Sequence, residues 1–545
     1  MNRKSVAIVV FGVSLLVGCG TFRKAPSLPQ DNRSLVFQAR ADKDESRLLE
    51  LAAHPDLNVR TTAWRALANI TVKSTDSLVA MALRDGSDVA MFSLTMQPLT
   101  PAQLRRLESE FARRPESHGP IVRVLGIAGD RTSLRFLTDA MASSFGTPWE
   151  AEFALAVNRR WMVEAPTPAA IEPVLERSMQ VDDPIVRRAW LYGMFRVQTA
   201  WIDSLQAQRL FADMESTYDS MDPFIRQMTV NILGKSKHPA LPGFMRTRLT
   251  PQMSHIEQTE LARAMFRYPS PDAQVLVALL ERSLDEENIP LTLDLLNTAH
   301  TLPSASAVAP IFVEQVRRRV RVAEPIEYAV MRLQGTKPTV IPENPALTGE
   351  YLALMGDTDE AIEAMKAHPD KIRSYLAQLR RPESMVPEIT DSTLIVPPVG
   401  IVHQSPVWIL ETSEGRIVIE LDGLRTPAST YAISKIASEG YYTGTFFHRV
   451  IQNFVIQAGL SFSGDRREPD FTVPTEGIEA QFERGSVGVA SAGRDTEGGQ
   501  FFIMHQWMPH LNGRYSNIGR VVEGMDVVDR VWQGTLIHSS RIVLP

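Results

Sequence analysis

Two stretches constrain the fold of this chain most. Residues 446–459 read FFHRVIQNFVIQAG, and residues 488–506 read GVASAGRDTEGGQFFIMHQ. In the first, Arg449 sits in an apolar run of Phe446, Phe447, Val450, Ile451 and Phe454, with the alternation expected of a β-strand. An arginine in such a run has two readings. It can be structural, its stem lying on apolar surface and its head in water or in an ion pair. Or its guanidinium can serve chemistry at the mouth of a pocket. Phe454, Phe502, Leu511 and Tyr515 would supply the apolar wall of that pocket, while Gln457 and Gln500 supply amide donors and acceptors. A concave apolar site with few polar groups suits a small hydrophobic ring.

The full ordered set is F-H-R-V-I, then N-F-x-I-Q, then A-x-A-G-x-x-x-x-G-G-Q-F-F-I, then L-N-G-x-Y. It resembles the core of the cyclophilins, peptidyl-prolyl cis/trans isomerases built on a closed antiparallel β-barrel with two helices. The resemblance covers residues 406–545, about a quarter of the chain. It implies a role for each matching position. Arg449, Gln457 and Phe454 are the implied catalytic residues, with Gln457 positioning substrate and arginine. Val455, Phe502, Leu511 and Tyr515 join Phe454 around the proline ring, and Ala490, Ser491 and Gln500 line the peptide groove. His510 occupies a rim position that is Trp in many eukaryotic members. Other departures are Val455 for a usual methionine, Ala458 and Leu460 where Gly and Asp are common, and Tyr515 for a frequent His, as in bacterial members. The implied chemistry needs no cofactor and no metal.

The surrounding residues agree with strands and two helices. Val407–Glu411 and Arg416–Leu421 alternate about Ser413-Glu414-Gly415, a hairpin signal. Thr426-Pro427 predicts a helix to about Glu439, with Thr426 as cap, Pro427 in the first position and Gly440 ending it. Residues 525–531 predict a second, short helix.

The chain begins MNRKSVAIVVFGVSLLVGCG. Arg3 and Lys4 precede a 13-residue apolar stretch from Val6 to Gly18, too short to span a bilayer. Leu16-Val17-Gly18-Cys19 resembles a bacterial lipobox, in which Cys19 is diacylated and becomes the mature N-terminus. The alternative is an ordinary signal peptide that happens to contain a cysteine. Cys19 is the single cysteine among 545 residues, which excludes an internal disulfide framework. Gly20 follows where an Asp would resemble an inner-membrane retention signal, so the expected place is the cell envelope, lipid-anchored at the outer membrane and facing the periplasm. Loss of Arg3 and Lys4 from 57 basic residues leaves 55 against 63 acidic ones, a net charge of about −8. That balance argues against nucleic acid, whose backbone requires a positive surface.

Residues 33–380 are rich in Leu, Ala, Met and Arg at helical spacing. Three phrases are alike: DLNVR at 56–60 with Leu67, DPIVR at 183–187 with Met194, and DPFIR at 222–226 with Leu233. Each has an acid, an apolar residue, an arginine, and an apolar residue seven positions beyond that arginine. The 39-residue step from Arg187 to Arg226 resembles HEAT-type repeats, paired helices stacked into a solenoid; an irregular helical bundle is the other reading. The phrases at Gly129-Asp130 and His238–Pro242 fit between them, and 346–380 reads as helix out of phase with the repeat. Gly234-Lys235-Ser236 looks like the end of a phosphate loop but lacks its first glycine, which leaves a helix-capping glycine. The basic run Arg317–Arg319 with Arg321 reads as a solvated helix face, or as a headgroup contact. His505 and His510 lack the further ligands of a metal site.

Prolines 382, 387, 397, 398 and 406 mark a stiffened linker. The organisation expected is multidomain: a lipoprotein signal at 1–18, a tether at 19–32, an α-helical HEAT-like repeat domain at 33–380, a Pro-rich linker at 381–405 and a cyclophilin-like domain at 406–545. The function expected is isomerisation of X–Pro bonds in exported or envelope proteins, with proline-containing polypeptides as clients. The helical repeats would hold clients or an envelope partner. The competing reading is a non-catalytic docking subunit of an envelope complex whose cyclophilin-like domain binds a proline-containing loop.

Overall fold

Each of the three Asp-led phrases opens a helix. In the computed structural model, which describes residues 33–250, 252–356, 363, 368, 405–460, 469, 471–477 and 480–544, helices run from α1 (Arg33–Ala41) to α20 (Thr348–Met355). Asp56 caps α3 (Leu57–Ala68), Asp183 caps α11 (Pro184–Arg196) and Asp222 caps α13 (Pro223–Ser236). Their carboxylates accept N–H bonds from Asn58, Ile185 and Phe224 at 2.8, 2.8 and 2.9 Å, satisfying donors that a helix start leaves open. The arginine four residues after the aspartate in each phrase, about one helical turn on, bonds outward to an acid. Arg60 meets Asp85 at 3.6 Å, Arg187 meets Asp213, and Arg226 meets Glu257 at 2.8 Å. The apolar residues seven positions further on, Leu67, Met194 and Leu233, are all buried.

The helices alternate between two layers. Odd-numbered ones pack on one another in series: α3 on α5 (Asp88–Thr95), α5 on α7 (His118–Ala128), α7 on α9 (Glu150–Trp161), α9 on α11, α11 on α13, and α13 on α15 (His255–Phe266). Even-numbered helices pack behind them. Gly234 lies inside α13 and does not cap it; the left-handed cap is Lys237 (φ 54°). A Cβ on Gly234 would stand 2.6 Å from that of Ala264, so this glycine serves the close approach of α13 and α15. Arg317, Arg318 and Arg319 are spent on surface ion pairs with Glu327, Glu314 and Asp285. Among the described residues no helix is long and apolar enough to cross a membrane. Cys19, the signal and tether segments, residues 381–404 of the linker, and most of 357–380 lie outside the described residues.

The C-terminal part is an eight-stranded, curled antiparallel sheet. Its strands are β1 (Val407–Thr412), β2 (Gly415–Leu421), β3 (Arg449–Ile451), β4 (Val455–Ala458), β5 (Ser486–Val489), β6 (Phe501–Met504), β7 (Asn517–Glu523) and β8 (Ile537–Val543), in the order β3-β4-β6-β5-β7-β2-β1-β8. The two ends of this order approach each other, with Phe446 bridging Leu536 and the Phe447 N–H donating to the Thr535 carbonyl at 3.0 Å. The predicted hairpin at 413–415 and both helices, α21 (Pro427–Ser438) and α22 (Met525–Arg530), are present. Thr426, however, makes no side-chain cap; its hydroxyl donates to the Asp422 carbonyl. The Glu476 carboxylate caps α21 instead, accepting the Ala428 and Ser429 N–H groups at 3.1 and 2.8 Å.

Two separate apolar clusters meet at this sheet. Trp408, Tyr442, Phe447, Phe501, Ile503 and Val487 fill its concave interior. Phe502 and Met504, the alternate residues of β6, belong with Val455, Trp507, Met508 and Leu511 to the cluster that runs through the helices. Strands β5 and β6 are therefore buried on both faces, which a sheet edge open to water would not be.

Candidate active site

Strand register assembles the polar part of the site. Arg449 on β3 lies opposite Gln457 on β4, and Gln457 lies opposite Phe502 on β6. Arg449 Nη1 donates to Gln457 Oε1 at 3.0 Å, and Gln457 Nε2 donates to Gln500 Oε1 at 3.0 Å. The Ala490 N–H donates to the Gln500 carbonyl at 2.9 Å, tying the 490–491 segment to the same row. The guanidinium thus has one fixed orientation and remains exposed on its outer side.

Aromatic rings stand beside this row. Arg449 Cζ lies 5.9 Å from the centre of the Phe454 ring, and Phe502 meets Tyr515 edge-on at 5.5 Å. Gly488 makes room for Phe502, since a Cβ there would come within 2.3 Å of the ring. Val455 and Leu511 are buried close by, while Ser491 and Ala490 are half-buried at the groove. Arg449, Gln457, Gln500, Phe454, Val455, Phe502, Ala490 and Ser491 all fall on strands β3 to β6 or the segments joining them, and Tyr515 lies in the segment between β6 and β7.

Burial holds the Arg449 guanidinium below the usual arginine range, partly offset by Tyr515, and leaves it a cation throughout the accessible pH range. His448, next to it, is pushed down to about 3 by burial and by the Arg449 charge, so it is neutral. Among the described residues no group of three or more His, Cys, Asp or Glu could hold a metal ion.

His510 is not at an open rim. Its ring stacks on Phe454 at 5.8 Å, its Nδ1 pairs with the Tyr192 hydroxyl at 2.8 Å, and its Nε2 lies 3.3 Å from Arg196 Nη2. Both partners come from α11. Further contacts tie the same face of the sheet to the inner helical layer. Trp507 packs on Tyr192 and Phe224 and lies under Arg188 at 4.4 Å. Gln227 donates to Gln506 at 2.7 Å, and Asn453 donates to Glu260 at 2.9 Å. Gly513 (φ 75°) faces Phe92, whose ring would lie 2.7 Å from a Cβ there. Sequence reasoning missed Arg159, Tyr192, Arg196 and Glu260 as neighbours of the site. The available signal was the unbroken apolar run FFIM with Trp507 and Met508, which marks a strand covered on both faces without naming the cover.

The family model for cyclophilin type peptidyl-prolyl cis-trans isomerase/CLD matches residues 407–543. Peptidyl-prolyl cis-trans isomerase B of Bacillus subtilis is 36% identical over 137 residues, which are 25% of this chain and 96% of that protein. A peptidyl-prolyl cis-trans isomerase of Helicobacter pylori is 36% identical over 134 residues, 24% of this chain and 82% of that protein. A crystal structure of a Cryptosporidium parvum cyclophilin type peptidyl-prolyl cis-trans isomerase aligns over 26% of this chain and 98% of its own at 25% identity, with a TM-score of 0.24.

Proposed function

Because this chain belongs, through its C-terminal quarter, to the cyclophilin-type peptidyl-prolyl cis-trans isomerases, we propose that its isomerase centre acts on X–Pro bonds of exported or envelope polypeptides. The peptide bond resists rotation because nitrogen shares its lone pair with the carbonyl, a barrier of roughly 18–20 kcal/mol. A guanidinium donating toward the proline nitrogen localises that lone pair and removes double-bond character. The donation is strongest at the twisted geometry, so it lowers the barrier without merely tightening binding. Gln457 fixes the Arg449 fork through the 3.0 Å bond to its Oε1. Phe454, Phe502, Leu511 and Tyr515 grip the ring while the preceding carbonyl swings, and Gln500 and the 490–491 segment hold the flanking chain. No covalent step and no cofactor enters.

The sheet in this reading is a closed barrel, and the helices are HEAT-like repeats forming a solenoid. The alternation of the two helical layers supports the repeats. The inner layer is engaged by the chain's own sheet, so clients or an envelope partner would meet the solenoid at its rim and outer layer. Lipidation of Cys19 would tether the molecule to the outer membrane, facing the periplasm.

The observation that carries the reading is the row Arg449–Gln457–Gln500 set beside Phe454 and Phe502. The test is isomerase activity of the full chain on an X–Pro peptide, followed by exchange NMR. Turnover that vanishes in Arg449→Ala supports the reading; absence of turnover in the unaltered chain removes it.

A further inference from the structure

A cavity of about 830 Å³ lies where the inner helical layer meets the 509–514 loop. Its charged lining consists of Arg159, Arg160, Arg196 and Arg514, and no carboxylate lines it among the described residues. Met96, Ile127, Met162 and Val197 supply apolar wall. Two of these arginines are fixed by backbone carbonyls: Arg159 Nη2 donates to the Pro509 carbonyl at 3.2 Å, and Arg160 donates to the Gly129 carbonyl. Arg159 Nη1 is buried without a hydrogen-bond partner; its nearest acid, Glu152, is 3.8 Å away and is shared with Arg123 at 3.1 Å. Arg196 and Arg514 are exposed within the cavity. The field is felt at His510, whose pKa falls to about 3 through burial and through Arg196, Arg514 and Arg159.

The cavity adjoins the isomerase centre. His510 lines it, stacks on Phe454 at 5.8 Å, and Phe454 in turn lies 5.9 Å from the Arg449 guanidinium. Those two steps span at most about 12 Å, roughly three to four residues of extended chain at about 3.3 Å each. The volume is that of a site for several residues or a drug-sized ligand. Planar guanidinium forks bind carboxylates in pairs, and a low-dielectric wall strengthens that attraction.

We propose that this arginine-lined cavity is a specificity subsite, built from the helical layer and the 509–514 loop, that takes acidic side chains lying about two to five residues from the isomerised proline. The inference rests on the isomerase reading above and names its substrate class: proline-containing segments with Asp or Glu nearby. A membrane headgroup is the poorer occupant, because the site is a recess beside the peptide groove with apolar walls.

The test compares X–Pro peptides carrying two Glu residues on either side of the proline with their Gln counterparts, using the full chain at low salt. Isomerisation and, separately, fluorescence anisotropy of the labelled peptides are measured. We expect about a tenfold preference for the acidic peptide on at least one side, shrinking toward unity at high salt as screening sets in. Arg514→Gln, whose side chain makes no ion pair among the described residues, should lower that preference several-fold, and Arg160→Gln should do the same. Turnover of the Gln peptide should stay within about twofold in both variants. Equal handling of Glu and Gln peptides, or a preference untouched in both variants, overturns the proposal. Acidic-peptide binding that depends on Arg514 in the absence of any turnover would retain the subsite and remove the isomerase reading. Turnover without acid preference would do the reverse. Displacement of the acidic peptide by anionic phospholipid vesicles at low lipid concentration would reassign the cavity to a membrane surface.

Discussion

Replacing Trp507 by alanine should weaken the join between the two parts of the molecule. Trp507 is 3% exposed, and its ring meets Tyr192 at 5.3 Å, Phe224 at 6.4 Å and the Arg188 guanidinium at 4.4 Å. Its Nε1 donates to Gln481 within the sheet part at 3.0 Å. Truncating a buried Trp costs about 3–5 kcal/mol, a figure that already contains most of the ring–ring and cation–π attraction. The loss falls on a contact shared by both parts, so the sheet should unfold as a less supported unit. At roughly 2–4 °C per kcal/mol for a domain of that size, its transition should drop by about 10 °C and separate from that of the helices. Calorimetry and near-ultraviolet circular dichroism of the full chain measure this directly. Trp507→Phe keeps one aromatic ring there but gives up part of the contact and one hydrogen bond, the bond being worth about 1 kcal/mol, so its loss should fall short of that of Trp507→Ala. A Trp507→Ala protein whose unfolding coincides with that of the native chain within about 1 kcal/mol would show that this ring does not couple the parts.

Arg449→Ala should cut kcat/KM on X–Pro peptides by about 100-fold or more while peptide affinity changes little, since the guanidinium acts mainly at the twisted state. Arg449→Lys should also be poor, because a point charge does not reproduce the fork held by Gln457; a coupled isomerisation assay reads both. Under the lipid anchor proposed above, Cys19→Ser should leave activity intact and shift the protein from the membrane to the soluble fraction after a high-salt wash; equal membrane retention of both proteins would refute the anchor. Glu497, fully buried, has its pKa raised to about 8 by burial and by neighbouring Glu476, against an ordinary 4.5. A raised carboxyl stabilises the fold fully below the unfolded value and loses that contribution as pH rises through about 8. Glu497→Gln should therefore flatten the decline of Tm between about pH 5 and pH 8.5, seen by thermal scans across that range.

How much of this was legible in the sequence depends on what each signal reports. Asp56, Asp183 and Asp222 announce helix starts because a carboxylate capping N–H groups is a local interaction. The hairpin at 413–415 and the helix ended by Gly440 (φ 76°) are likewise local. The site row Arg449–Gln457–Gln500 was legible through resemblance, and strand register explains it: Gln457 pairs with both Arg449 and Phe502. What was not legible depends on partners distant in sequence. Thr426 has the residue type of a cap, but Glu476, fifty positions further along the chain, occupies the helix start. Gly234 has the residue type of a terminator, but the approach of Ala264 on another helix requires its missing side chain. Periodicity reports that Phe502 and Met504 face something apolar; it does not report that the something is the helical layer.

That cover changes what the family's site can do here. The Bacillus subtilis relative, matched over 96% of its length, consists of little beyond the part shared with this chain. In the present molecule the outer side of β4, β6 and the 507–511 segment is continuous with the helical core. A peptide must therefore enter from the side left uncovered, past Arg449 and the half-buried Ala490 and Ser491. On the covered side, Tyr192 and Arg196 occupy both nitrogens of His510, so the wall beyond Phe454 is made of helix rather than solvent. On the proposed function, selectivity among X–Pro bonds would rest less on the proline ring, which every such substrate shares, than on the flanking residues that this wall meets. In the function proposed above, the helices would act on catalysis by deciding which chains reach Arg449, while the orientation of the guanidinium is set within the sheet by Gln457.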